Sequence, residues 1–374
     1  MKIGLVLDDT LDTPDGVQQY VLEIGAWMTN QGHEVHYLVG QTTRSDIPNV
    51  HSLSRNVRVK FNGNRMSMPL PASRRKLRQL LTHEQFDILH VQVPYSPFMA
   101  GLLLRLAPAR TVVVGTFHIL PYSAIERFAN RALAFMTHRS SRRFVVMIAA
   151  SQPAADFAKQ CYGFTAKVIP HPFDYSRFAV DPAPMLGVTN IVYLSRLVER
   201  KGALWLLRAI AELKRRGKLP ENVRIEIGGR GPLLAKLQKY VAETGLSHCV
   251  AFRGFIAEAD KPAFLAQADI AVFPSTSGES FGISIIEGLA AARGVVIAGD
   301  NPGYRAAMQL DGQLLNPKNT PVFADTLEYW LTHAAKRNAA AAIQKKIAVQ
   351  YDRNIVGHKV MRLYNQALHT RHIS

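Results

Sequence analysis

Short apolar runs recur along this chain, and most are followed by a polar turn and then by apolar residues three and four apart. Residues 2–7, 34–39, 86–91, 111–118 and 145–151 have the run pattern in the first half, and 191–195, 223–228, 250–256, 269–274 and 294–299 have it in the second. Runs this short and this apolar read as strands buried on both faces. Between them lie helical stripes: Val17, Tyr20, Val21, Ile24 and Met28; Leu77, Leu80 and Leu81; residues 203–210; and Ile283, Ile285, Ile286 and Leu289. Alternating strands and helices predict parallel sheets with helices on both faces. Prolines at 182 and 184 predict a linker, so the chain divides into two α/β domains, 1–175 and 176–352. A last helical stretch, 353–374, has Ile355, Val360, Leu363 and Tyr364 at helical spacing.

With 374 residues, 48% of them hydrophobic, each half can build its own core. No window approaches the roughly 18 apolar residues of a membrane-spanning helix. Residues 1–7 read as a strand rather than a signal peptide. Two cysteines, Cys161 and Cys249, make neither a disulfide framework nor a metal-binding spacing, and a reducing cytosol is the simplest home. Asp8, Asp9 and Asp12 cluster, but no histidine or second acidic motif accompanies them, and no metal site is expected.

Charge changes the picture more. The net charge is +17, and residues 51–150 hold 15 Lys/Arg against 3 Asp/Glu, an excess of 12. Such a surface attracts polyanions, either nucleic acid or an anionic leaflet. Arg74, Arg75, Lys76 and Arg78 flank the leucine stripe of the second helix, just after Met66, Met68 and Leu70. A basic amphipathic helix beside apolar residues is an interfacial pattern. Residues 123–145 form another helical segment, with Arg127, Arg131, Arg139, Arg142 and Arg143 adding to the basic face.

The chemistry concentrates in 277–289. Glu279 falls in a strand-to-helix loop and Glu287 inside the following helix. Eight helical residues would separate them by ~12 Å, about the span of a nucleotide sugar. N–H groups of Phe281 and Gly282 face the helix start, where anions bind. Arg196 and Lys201 share one strand-to-helix loop, 195–202, and an anion between them would relieve their repulsion. His118 ends a buried strand, at the edge where open α/β sheets bind ligands. Gly16 sits in a loop between the first strand and the first helix.

Glu279 and Glu287, eight apart, resemble the E-x7-E motif of family 4 retaining glycosyltransferases, which have the GT-B fold. Thr116-Phe-His118, Glu199-Arg-Lys-Gly202 and Gly16-Val-Gln18 match other motifs of that family, and the nearest likeness is to phosphatidylinositol α-mannosyltransferases. Asp15 stands where the family's first loop glycine would be, and His171-Pro172 where it has Asn-Gly. The resemblance implies two Rossmann-like domains facing a central cleft, with the C-terminal helix crossing back to the first. It implies transfer of a hexose, mannose favoured, from a GDP- or UDP-linked donor to a lipid acceptor such as a phosphatidylinositol-type glycolipid, with retained configuration and without a metal or other cofactor. His118, Arg196, Lys201 and Glu279 are then the catalytic set. Gly16, Phe255, Ile256, Ser280, Phe281, Gly282, Ile283 and Glu287 complete the donor site. Gln18, Asn62, Arg74, Arg75, Lys76 and Arg78 serve the acceptor and membrane. The protein would act in the cytoplasm, peripherally on the cytoplasmic face of the membrane. A soluble or polysaccharide acceptor, a non-catalytic sugar-nucleotide sensor and a nucleic-acid-binding protein are the alternatives; the last lacks the interleaved aromatic and basic residues of a single-strand platform.

Overall fold

The computed structural model describes residues 1–374 except 14, 62–63, 122, 181–186, 311 and 374; the side chains of 58–61, 64–69 and 371–373 also lie outside the description. Asn62, Met66, Met68 and the proline linker therefore fall outside what can be described. The chain forms two compact units, 1–173 with 353–374, and 174–352.

In the first unit, β1 (Lys2–Leu7), β2 (Glu34–Val39) and β3 (Val50–Ser52) run one way from the centre of a seven-stranded sheet. A hairpin, β4 (Asn56–Phe61) with β5 (Asn64–Pro69), stands apart from it. From β1 the sheet then extends the other way through β6 (Ile88–Val91), β7 (Val112–Phe117), β8 (Val146–Ala149) and β9 (Ala166–Val168). All pairs within the sheet are parallel. The apolar runs have the expected cause, since every residue of β6 and β7 is buried. Five helices cross over between these strands: α1 (Gly16–Asn30), α2 (Arg74–Glu84), α3 (Met99–Leu106), α4 (Ala124–Ser141) and α5 (Gln152–Tyr162).

The second unit repeats the plan. After the short helix α6 (Tyr175–Phe178) come β10 (Thr189–Leu194), α7 (Ala203–Arg215), β11 (Val223–Gly228), α8 (Leu234–Glu243) and β12 (Val250–Gly254). Then follow α9 (Lys261–Ala266), β13 (Ile270–Phe273), α10 (Ile283–Ala291), β14 (Val295–Gly299), α11 (Pro302–Met308), β15 (Leu314–Leu315), α12 (Thr320–Thr332) and α13 (Ala334–Val349). The sheet order is β12-β11-β10-β13-β14-β15. In both sheets the strand order reverses once, between β1 and β6 and between β10 and β13. These reversals are the switch points where open α/β sheets bind ligands, outside the carboxyl ends of the strands. Among the described residues no helix is long and apolar enough to cross a membrane.

The last helix, α14 (Arg353–Ile373), belongs to the first unit. Val356, Val360, Leu363, Tyr364 and Ala367 pack into the core built by β1, β2 and α1. Ile355, expected on this inward stripe, is instead 39% exposed and its neighbour Val356 is buried. Trp27 Nε1–H of α1 donates to Asn354 Oδ1 at 3.0 Å. Gly357 lies under the same indole, where a Cβ would meet Trp27 at 2.4 Å. We predict that Gly357→Val lowers the stability of the first unit by about 1–3 kcal/mol, the usual cost of overpacking. Chemical denaturation followed at Trp27, with Trp205 and Trp330 replaced by Phe in both proteins, checks this, and an unchanged midpoint would show that the helix is only loosely docked.

Candidate active site

The second unit gathers its charged groups at the β10/β13 switch point. The chain leaves β10, runs through a 3-10 turn at Glu199–Lys201 and enters α7 at Gly202. Gly202 has φ 77°, and a Cβ there would lie 2.1 Å from the carbonyl oxygen of Pro274. Only glycine permits this close crossing of the loops that follow β10 and β13. The backbones are tied as well, Thr276 N–H donating to the Arg200 carbonyl at 2.9 Å. Glu279 is thereby brought onto the cations of the other loop. Its Oε1 accepts from Arg200 Nη1 at 2.6 Å, Lys201 Nζ at 2.7 Å and Ser275 Oγ at 2.8 Å. Lys201 and Glu279 are both buried.

Burial pushes the Lys201 ammonium below its ordinary range, against the pull of Glu279, with Arg200 and Arg196 adding repulsion. Burial would raise the Glu279 carboxyl, but Lys201 and Arg200 win and hold it below the usual carboxylate range. The structure adds a partner here: Lys201 is paired with Glu279 while Arg196 still adds repulsion, and the exposed Glu199 is not that partner. Arg200, which the sequence reading passed over, is the second partner of Glu279. The Arg196 side chain is exposed.

Glu287 lies buried inside α10, 3.4 Å from Lys261 Nζ, and burial raises its carboxyl. Lys261 also holds Glu258 at 2.6 Å. Only residues from Ile283 onward are helical, so the estimate of eight helical residues between Glu279 and Glu287 does not hold. Gly282 caps α10 with φ 99°, and a Cβ there would lie 2.6 Å from the Tyr304 ring. The Phe281 side chain is buried and meets Tyr351 edge-on. Ser280 and Ile283 are half-buried beside it. Phe255, after β12, is half-exposed with Arg230 above its ring, and Ile256 is half-buried.

In the first unit the strand ends carry a histidine cluster. His118 follows β7, Gln92 follows β6, and His171 follows β9. His118 Nε2 is 3.0 Å from Gln92 Oε1, so it carries the proton and donates; Nδ1 then accepts from His171 Nε2 at 3.1 Å. His171, noted in the sequence only as a departure from the family pattern, is thus the partner that fixes the His118 tautomer. Below them His90 is hydrogen-bonded to the Tyr364 hydroxyl through Nδ1 and to the Thr116 hydroxyl through Nε2, both at 2.6 Å. Desolvation holds His90 down to about 3 and His171 to about 4, and His118 well below its ordinary value.

Gly16, read in the sequence as part of the loop, is the first residue of α1, with Asp15 exposed at the cap. Gln18, assigned with the acceptor and membrane residues, is buried and donates to Asp9 Oδ2 at 3.0 Å. Arg74, Arg75, Lys76 and Arg78 are exposed on α2, whose Leu77 and Leu81 are buried. The three early aspartates do not converge. Asp8 accepts from Ser96 and from Ala100 N–H, Asp9 from Gln18, and Asp12 from Thr42 and Thr43. Among the described residues one group has metal-ligand spacing, His36, His51 and Glu84. It lies toward the amino ends of the strands, with Lys2 already on Glu84 at 2.9 Å.

Buried neutral imidazoles make stability depend on pH. A histidine near 6.5 when unfolded and about 4 when folded excludes a proton that the unfolded chain takes up, so stability is lost as pH falls from 7 toward 4. For His171 this is worth about 3 kcal/mol. Asp8 works in the opposite sense. Burial raises it to about 7, so the native state takes up a proton first and stability is gained as pH falls. We predict that His171→Asn flattens the acid side of a thermal-unfolding profile and that Asp8→Asn steepens it. Profiles that shift in parallel would overturn the assignment of these two groups.

Comparison with known proteins agrees with this geometry. Residues 14–177 match the family model described as Glycosyltransferase Family 4, and 188–333 match Glycosyl transferases group 1. The chain is 30% identical over 379 residues to a phosphatidyl-myo-inositol mannosyltransferase of Mycobacterium tuberculosis (strain CDC 1551 / Oshkosh), covering 97% of this chain and 96% of the relative. It is 27% identical to a GDP-mannose-dependent α-(1-6)-phosphatidylinositol monomannoside mannosyltransferase of Mycolicibacterium smegmatis, over 83% of each chain. The fold matches that of HepE from Anabaena, solved with UDP and glucose, at TM-score 0.72, with 18% identity over 98% of this chain and 99% of that one. A glycosyltransferase from Rickettsia africae matches at TM-score 0.76, with 17% identity over 98% of both chains. Two parallel-sheet units with the strand order of nucleotide-binding folds, matched along nearly their whole length, place this chain among the family 4 glycosyltransferases of GT-B fold.

Proposed function

We propose that the protein transfers mannose from GDP-mannose to a phosphatidylinositol-type lipid at a membrane surface, with retained configuration and no metal cofactor. The observation that carries this reading is the Arg200–Glu279–Lys201 triad at a switch point, with Lys201 and Glu279 buried and Arg200 half-buried. Two cations share one carboxylate, which leaves a net positive charge in a desolvated site. A nucleoside diphosphate offers the missing anion, and its arrival restores to Lys201 the stability that burial removes. Preorganised charge of this kind stabilises a leaving diphosphate most where it is driest. The acceptor oxygen attacks the anomeric carbon on the face the donor leaves from. As the bond to the diphosphate breaks, a diphosphate oxygen takes the acceptor proton. His118, Arg196 and Glu279 keep the catalytic assignments of the family motif, and Glu287 the ribose hydroxyls. Mannose and the lipid acceptor are supported by the names of the relatives and by the exposed cations of α2.

Three substitutions separate the roles. Lys201→Ala weakens GDP binding by about 1.5–3 kcal/mol, the scale of a hydrogen bond to a charged group. Glu287→Ala weakens it too. Glu279→Gln removes the carboxylate that competes for Lys201, so GDP binding holds or tightens while turnover falls. Calorimetry with GDP and UDP reads all three, and a Glu279→Gln protein that loses GDP would show that this carboxylate organises the site instead. With two fixed cations on the leaving group, a chelator leaves turnover unchanged; loss on chelation and rescue by a divalent ion would overturn metal independence. Replacing Arg74, Arg75, Lys76 and Arg78 by Glu weakens binding to anionic vesicles and leaves GDP binding intact, since the donor cations belong to the other unit.

A further inference from the structure

Helix α4 is inside out. Four of its five large apolar side chains face away from the protein: Ile125 is 76% exposed, Phe128 74%, Phe135 86% and Met136 61%, and Leu133 alone is half-buried. With Ala129 and Ala132, also exposed, they form one continuous stripe along the 18-residue helix. The opposite stripe is polar and buried, formed by Asn130, Thr137 and Ser140. That face is satisfied internally. Asn130 Nδ2 donates to the Glu126 carbonyl and its Oδ1 accepts from Tyr162, while Thr137 and Ser140 donate to carbonyls of their own helix. The helix is therefore held by its polar side, and turning the apolar side inward would strand those groups. A stripe this apolar on the surface of a soluble domain marks an interaction face.

We propose that the outward stripe of α4 inserts into an anionic lipid leaflet, making α4 a second membrane contact beside α2; this rests on the membrane-surface reading above. Charge selects the occupant. Arg127, Arg131, Arg139 and Arg142 are exposed in or just beyond the stripe, and Glu126 is the one acid of the helix. A second copy of this chain would bring these arginine rows against each other with no acidic row to receive them. A leaflet accepts the rings among its acyl chains and the guanidinium groups among its headgroups.

The test uses the full chain with Phe135→Trp, a change at an exposed site. Phosphatidylcholine vesicles containing phosphatidylglycerol and bromine-labelled acyl chains are added. With the emission of Trp27, Trp205 and Trp330 in the wild-type protein subtracted, the signal from position 135 is expected to shift to the blue and to lose at least half its intensity. In parallel, Phe128→Ser with Phe135→Ser should keep the wild-type melting temperature and lose about tenfold in vesicle binding. Absence of quenching in a protein that still sediments with the vesicles would overturn the proposal. So would a wild-type dimer in sedimentation velocity that the double serine variant abolishes, since the stripe would then be a contact between copies. Transfer to phosphatidylinositol in detergent micelles keeps the two readings apart. If it proceeds while position 135 is not quenched, the α4 contact alone fails. If no lipid is mannosylated in micelles or vesicles, the functional reading fails.

Discussion

A parallel strand covered by helices on both faces has no solvent side, and that constraint shapes both units. Residues inward on either face are apolar in β13 and β14 and mostly so in β6 and β7, where the buried His90 and Thr116 are paired with each other. The charged groups of the second unit's site enter where the strands stop, at the ends of β10 and β13, with Lys201 and Glu279. In the first unit Gln92 and His118 stand at the ends of β6 and β7. The same strand order in both sheets therefore makes two crevices from one architectural rule.

The two crevices solve the burial of polar groups differently. The first holds neutral imidazoles, each a donor at one nitrogen and an acceptor at the other, so no charge is taken out of water. The second buries full charges. Pairing offsets much of that cost, but a triad with two cations and one acid is incomplete by design. Closing the balance with a more acidic loop would stabilise the empty protein and, on the proposed function, leave a nucleoside diphosphate less to gain.

Much of this was legible in the sequence because apolar runs and glycine-bearing loops have few structural solutions. The strand-helix alternation led to the fold, and the spacing of Glu279 and Glu287 led to the right loop and helix. The contacts across the chain were not legible. Arg200 neighbours Lys201 in sequence, yet only the crossing of two loops at Gly202 shows that both meet Glu279. His171 looked like a departure from a motif until it fell beside His118. Gln18 was named from the resemblance of its loop, and its burial against Asp9 shows only in the fold. The repeated strand order was likewise invisible, since two sheets can share a topology without sharing side chains.

Helix α4 shows a different limit. Periodicity reveals that a helix has two faces, but it carries no sign. The rule that assigns the apolar face to the core rests on a free-energy difference, about 25 cal/mol for each Å² of apolar surface removed from water. That rule can be overruled where the inward groove offers polar partners, as Tyr162 does for Asn130. Once the polar stripe is hydrogen-bonded inside, the apolar stripe is left to a solvent other than water. The arginines that read as a basic face therefore border apolar side chains, and the two features become one surface.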